Sequence, residues 1–403
     1  MFIHRHGDPA RFGTKHRSLE LVKTFVIHRF IKRLAVGMKK KIILLGPYPP
    51  PYGGVSMFVS TLFELLRNRG VRLWAYGDTE IKAPGVRSVK YKKLGIIPLL
   101  MRDAGHSRIV DSSHFLLEYP SKILVPLWVV SKTLLGFEWV KVIHDGSLPA
   151  RYGGFGPLRR WLFRRAAKFV TNFVVVSEDL ALWLRHEINV AQKVSVIKSL
   201  LPLPPRAGDD VLPAEVEKLI AQYSKRVCSV GVFTPEYGFR QIADSLEKVR
   251  QESGENLCLV LLDGAFACDL DYRFDVLRQR EWITVLRNVP HPQVLQIMKR
   301  SDLFVRGFRF ESYGLSRVEA IWCGLPVVAT RVGETRGMLL YDYGDEEALT
   351  RQIKRALSDS SGLDVEMWAT TFRREAEENL RALMNAIDAE EEGAGAELST
   401  ASN

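Results

Sequence analysis

Four cysteines among 403 residues, none in a CxxC pair or a cluster, leave no framework for disulfides or a thiolate metal site. The nine histidines show no HxxxH or HExxH spacing, so nothing in the sequence points to bound metal. No apolar run reaches the roughly 20 residues that span a bilayer. The best of them, Ile123–Val130, is interrupted by Pro126 and closed by Ser131 and Lys132. No strand leads into GxGxxG, which removes the usual nicotinamide-binding start. The body also lacks a strong charge of one sign. Of the net charge of +11, most comes from residues 1–40, where ten Lys/Arg face only Asp8 and Glu20. A nucleic-acid partner, which needs a basic stripe through the folded part, is therefore not expected.

What remains is the composition of a soluble globular chain, 46% apolar and 26% charged, long enough for two domains. Single, unclustered thiols suit a reducing, cytoplasmic setting. Residues 1–37 stand apart. They read as an extension outside the native protein, since 38-MKKKIILLG-46 has the form of a natural start, or as a basic amphipathic helix on an anionic membrane. From there the chain alternates short apolar strands with amphipathic helices, the pattern of parallel α/β sheets. Strands are expected at 41–46, 71–76, 108–113, 140–145, 170–177 and 194–199, with a helix at 55–69. The Pro-rich stretch 202–213 reads as a linker. A second series follows, with strands at 227–233, 257–264, 283–288, 303–307 and 326–330, and helices at 238–252, 271–280 and 345–357. The divisions are thus 38–205, 206–362, a closing helix at 363–389 and an acidic, disordered tail at 390–403. Two doubly wound parallel halves imply a cleft at the carboxyl ends of the strands, where such sheets bind ligands.

The most informative strand end is 308-FRFESYGLSRVEAIWCGLPVVAT-330. Glu311 sits in a loop, Gly314 and Leu315 open a helix, and Glu319 lies one turn inside it. Free amides and the dipole at that helix start make an anion site. Carboxylates on either side suit hydroxylated groups, and an anion flanked by two polyols describes a nucleotide sugar. On spacing alone a charged helix explains the same residues. The apolar neighbours Val318, Ala320, Ile321 and Cys323 favour a buried, partnered Glu319.

Glu311 to Glu319 and the following Cys-Gly-Leu-Pro-Val-Val-Ala-Thr resemble the EX7E signature of retaining glycosyltransferases, family 4 of the GT-B superfamily. The resemblance extends from residue 41 to about 357. It takes in the Gly loop at 46–55, the His144-Asp145 strand end, the Val174–Glu178 turn and 231-GVFTPEYGF-239. It implies two Rossmann-like domains facing across a cleft and a metal-independent transfer from a nucleotide diphosphate-sugar, without cofactor. Glu311 and Ser312-Tyr313 would face the donor sugar, Glu319 the ribose, and the Gly314 and Leu315 amides the diphosphate. Gly53 and Gly54 would approach the donor phosphate from the opposite domain. His144 would bond the sugar near the scissile bond, with Asp145 orienting it or touching acceptor.

One departure matters. Relatives place an arginine and a lysine on the diphosphate after the strand that ends here at Gly231; this chain has Val232 or Phe233 and Tyr237 instead. Arg306, Arg309 and Arg240 are the nearest substitutes, with Lys198 a further one. A second patch, 157-PLRRWLFRRAAKF-169, places Leu158, Trp161, Leu162 and Ala166 on one helix face among Arg159, Arg160, Arg164 and Arg165. It suits an anionic membrane surface or a polyprenyl-pyrophosphate-linked saccharide acceptor, and equally a core-facing helix with a solvated basic side. The resemblance implies sugar transfer in bacterial surface-polysaccharide assembly, in the cytoplasm or peripherally on the inner face of the membrane. The alternatives are a sugar-nucleotide epimerase or hydrolase of the same fold, and a catalytically weak scaffold subunit.

Overall fold

Apolar runs without polar alternation, such as Ile42–Leu45 and Val327–Ala329, suit strands covered on both faces, the condition of a parallel sheet. The computed structural model describes residues 40–76, 84–89, 95–190, 193–201, 211–358 and 363–388. The expectations for residues 1–37, for the 205/206 boundary with the linker over 202–210, and for the tail at 390–403 fall outside them. Met1–Lys41 and Ile42–Asn403 are separate units, and both sheets belong to the second.

The first sheet contains β1 (Ile42–Pro47), β2 (Arg72–Tyr76), β3 (Val86–Ser88), β4 (Arg108–Asp111), β5 (Glu138–Ile143), β6 (Asn172–Val175) and β7 (Lys193–Val196). Their order is β3-β2-β1-β4-β5-β6-β7. The second contains β8 (Lys225–Phe233), β9 (Leu257–Cys268), β10 (Ile283–Arg287), β11 (Leu303–Arg306), β12 (Val327–Thr330) and β13 (Leu339–Tyr341), in the order β10-β9-β8-β11-β12-β13. Every pairing is parallel. Strand order reverses between β1 and β4 in one sheet and between β8 and β11 in the other. The loops that leave β1, β8 and β11 therefore start at crevices, where a doubly wound sheet holds its ligand.

Among the elements with weak sequence signals are β3, β13 and the helix Leu124–Leu135. The last holds Pro126, which breaks the apolar run when it is judged as a membrane span. In the helix it occupies the first turn, where its missing N–H costs nothing.

The final helix, Val365–Asp388, belongs to both halves. Ala369, Phe372 and Ala376 belong to the core around β8, β9, β11 and β12, while Leu383, Ala386 and Ile387 belong to the core under the first sheet, where the helix packs against β6. Asn379 Nδ2 donates to the Leu200 carbonyl at 3.1 Å, and Asn172 Nδ2 donates to the Ala386 carbonyl at 2.9 Å.

Candidate active site

The stretch after β11 folds tightly because Gly314 adopts φ 88°, a left-handed conformation that a side chain would strain. A Cβ there would also lie 2.9 Å from Arg317 Cδ and 3.0 Å from Glu311 Cγ. The turn carries the chain from Glu311 into the helix Leu315–Trp322, whose first amides are left without intrahelical partners. Glu311 Oε2 accepts from Arg306 Nε at 2.8 Å, with Arg317 Nη2 at 4.0 Å. Glu319 is buried, as its apolar neighbours predict, and its Oε1 lies 2.7 Å from His291 Nε2. Both glutamates, with Ser312, Tyr313, Gly314 and Leu315 between them, line one cavity of about 290 Å³.

The opposite wall comes from the first sheet. Gly53 caps the helix Gly54–Leu66, and its N–H is held by Ser56 Oγ at 2.9 Å. A Cβ on Gly54 would meet nothing within 4 Å, so the backbone there fronts open space. His144, just past β5, faces the same cavity. Its Nδ1 lies 3.1 Å from Ser199 Oγ and its Nε2 3.4 Å from Ser112 Oγ, with the Phe58 ring edge-on at 4.6 Å. Burial lowers its pKa to about 3, so the ring stays neutral at physiological pH, one nitrogen donating and the other accepting.

Beside His144 lies a buried charged cluster. Lys141 Nζ reaches Glu118 Oε1 at 3.2 Å and the Ser113 carbonyl at 2.5 Å, and Glu118 Oε2 meets His114 Nδ1 at 2.6 Å. Burial opposes charge on Glu118, but Lys141 and His114 bring its pKa down to about 2. The cluster fixes the chain after β4 and so sets Ser112 against His144.

Asp145 does not line the cavity. Its Oδ1 accepts from the Ser147 N–H at 2.8 Å, and Arg151 pairs with its Oδ2 at 2.6 Å. Burial would raise its pKa, but the Ser147 bonds and Arg151 hold it below the ordinary value.

Among the proposed cations, only Arg306 reaches the site, and it is the only Arg or Lys on the cavity wall among the described residues. Burial works against its charge, but Glu311 and Tyr237 keep its pKa above the ordinary value. Its guanidinium lies over Tyr237 at 5.0 Å and Phe308 at 5.1 Å and bonds the Val230 carbonyl. Arg240 is turned away, 3.8 Å from both Asp244 and Asp275. Arg309 is exposed over Phe310 and Tyr343, because its backbone N–H is fixed to the Glu236 carbonyl. Lys198 faces Glu334 at 3.7 Å and Glu375 at 3.8 Å instead of the cavity.

The slot where a lysine is expected is thus filled by an aromatic shelf. Tyr237 stacks on Phe308 with ring centroids 4.2 Å apart, and both support Arg306. Gly231 makes room for it, since a Cβ there would lie 2.5 Å from Tyr237 Cδ1 and 2.8 Å from Phe239 Cζ. Gly231→Ala is expected to cost about 1–3 kcal/mol in denaturant unfolding through overpacking. An unchanged midpoint would show that the shelf moves freely and positions nothing.

The sequence reading missed His291, which stands at the start of the helix His291–Lys299 and meets Glu319. Its signal was position alone, a histidine in the loop leaving a parallel strand.

The basic helix forms over Pro157–Ala167, with a correction to its faces. Leu162, Phe163, Ala166 and Ala167 are buried, whereas Leu158 and Trp161 are about half exposed beside Arg159, Arg160, Arg164 and Arg165. The reason is Phe163, whose ring packs against Tyr152 at 5.2 Å and Trp183 at 5.7 Å. That packing rotates Trp161 outward.

Two parallel sheets in one unit, with a cavity at their carboxyl ends walled by a Gly loop and by two glutamates eight residues apart, define a GT-B fold. Residues 214–374 match the family described as Glycosyl transferases group 1. The chain is 26% identical over 225 residues to a 2-deoxystreptamine glucosyltransferase of Streptomyces kanamyceticus, covering 53% of this chain and 57% of that protein. An O-antigen chain mannosyltransferase B of Escherichia coli is 24% identical over 169 residues, 40% of this chain and 44% of its own length. The match thus spans about half the length of these curated relatives. Among solved structures, the Anabaena HepE complex with UDP-glucose superposes with a TM-score of 0.63 at 17% identity, over 86% of this chain and 97% of that one. A sucrose-phosphate synthase from Thermosynechococcus elongatus gives a TM-score of 0.59 at 19% identity, covering 87% and 97%.

Proposed function

We propose that this chain is a retaining glycosyltransferase that moves a sugar from a nucleoside diphosphate-sugar to a saccharide acceptor carried on a polyprenyl pyrophosphate. The observation that carries the reading is one cavity with Glu311 and Glu319 on either side of the Gly314–Leu315 amides, and Gly54 and His144 opposite. The diphosphate would lie on those amides with Arg306 beside it, Glu319 and His291 would take the ribose, and Glu311 and neutral His144 the sugar hydroxyls. Carboxylates bracketing an anion site match a ligand that is charged in the middle and hydroxylated at both ends.

In the proposed step the acceptor hydroxyl attacks the anomeric carbon from the face the diphosphate is leaving. The carbon–oxygen bond to phosphate breaks as the glycosidic bond forms. The hydroxyl proton passes to the departing phosphate oxygen, so no separate base is needed and no metal takes part. Helix amides and Arg306 stabilise the charge that collects on the leaving group, as fixed dipoles and cations do in such sites. The named activities of the relatives, glucosyl and mannosyl transfer, agree with this class of donor. The O-antigen relative favours surface-polysaccharide assembly. No helix among the described residues is long and apolar enough to cross a membrane, and we place the protein in the cytoplasm, against the inner face of the membrane.

Incubation with UDP-, GDP- and ADP-sugars tests the reading, with calorimetry for binding and NMR of the product anomer. Nucleotide-sugar binding and a product of unchanged anomeric configuration are expected. An epimerised or rapidly hydrolysed donor would replace transfer with epimerase or hydrolase chemistry, and no binding at millimolar nucleotide would make the chain a scaffold.

A further inference from the structure

The helix Leu124–Leu135 is apolar on both sides. Leu124, Val125 and Trp128 face the core, yet the outward side shows Leu127, Val130 and Leu134, preceded by Ile123. These outward residues recur every three to four positions and are 41–77% exposed; the charges beside them, Lys122 before the helix and the half-buried Lys132 within it, are both cationic. A surface helix of a soluble protein carries charge on that side. At 12 residues this helix is about 18 Å long, well short of the roughly 30 Å hydrocarbon layer. It has the face of a lipid-embedded helix without the length to cross.

The helix Pro157–Ala167 packs directly against it and supplies the charge. It contains four arginines and no acid, and Arg159, Arg160, Arg164 and Arg165 are all exposed around Leu158 and Trp161. Arg160 bonds the Gly153 carbonyl and Arg165 lies 5.8 Å from the Trp161 ring; none of the four has a carboxylate partner among the described residues. An apolar stripe beside uncompensated arginines, with an indole between them, complements a surface that is anionic outside and hydrocarbon beneath.

We propose that these two helices form one docking surface for an anionic lipid bilayer. Leu124–Leu135 lies in the plane of the interface, and Pro157–Ala167 holds the headgroups. The proposal adds a place of action to the transferase reading and rests on it only for the lipid-linked acceptor.

Flotation of the full chain with phosphatidylcholine vesicles, with and without phosphatidylglycerol, tests this. Calorimetry with nucleotide, without vesicles, monitors the donor site separately. Binding is expected only to the anionic vesicles and is expected to weaken at least about tenfold at high salt. Val130→Ser with Leu134→Ser, and separately Arg159→Glu with Arg164→Glu, should each lower it at least about tenfold without moving the melting temperature. Vesicle binding that survives both double variants overturns the surface, because the contact then lies elsewhere in the chain. So does light scattering that shows a wild-type dimer split by Val130→Ser with Leu134→Ser, since the face would then join two copies. Absence of vesicle binding with normal nucleotide affinity overturns the docking surface and leaves the transferase reading intact.

Discussion

Glu311→Gln is expected to lower turnover at least a hundredfold, about 2.7 kcal/mol of transition-state stabilisation, while nucleoside diphosphate binding stays within about threefold or tightens. The asymmetry follows from its contacts. Glu311 holds Arg306 at 2.8 Å, so in the resting site the carboxylate neutralises a cation that a diphosphate could otherwise use. On the proposed donor placement, removing the charge would free Arg306 for phosphate and take from the sugar its nearest carboxylate. The amide keeps the side-chain volume in the tight turn, where Glu311 Cγ also crowds Gly314 and Gly333. Single-turnover rates alongside calorimetry with the nucleotide separate the two effects. Equal losses of binding and rate would mean that Glu311 only shapes the turn, and near-normal rates would remove it from the chemistry.

Arg306→Met should cost still more, about a hundredfold to a thousandfold in turnover, the range for loss of a fixed group that stabilises developing charge. None of the other proposed cations stands ready to replace it: Arg240, Arg309 and Lys198 are each engaged outside the cavity. Arg306→Lys restores the charge but loses the planar contact with Tyr237 and Phe308, so it is expected to recover the rate only in part. Because Glu311 and Arg306 are in direct contact, their effects should not add. A double variant Glu311→Gln with Arg306→Met about as slow as Arg306→Met alone would show the two acting as one unit. Full activity in Arg306→Met would leave the helix amides as the whole anion site.

These expectations also mark what a linear chain displays. Buried parallel strands are legible because both faces are covered and their apolar runs are continuous, so β1, β8, β11 and β12 stand close to where the pattern puts them. The burial of Glu319 is legible for a related reason, since its helix neighbours are apolar. Its partner is not, because His291 comes from a strand end 28 residues away, and such proximity is set by sheet order. The cations fail for the same reason. Arg306 and Arg309 are three residues apart, yet one ends a strand inside the cavity and the other follows a turn out to solvent. In the helix Pro157–Ala167, periodicity identifies a stripe but not its rotation, and the contacts of Phe163 with Tyr152 and Trp183 decide that.

The straddling helix Val365–Asp388 has a consequence for how the molecule is made. Domains of a growing chain fold as units, the amino-terminal one first. Here Leu383, Ala386 and Ile387, which belong to the core under the first sheet, are among the last described residues to be synthesised. The first half therefore waits with an open apolar face while the whole of the second is translated. Its own closure follows the synthesis of the second half.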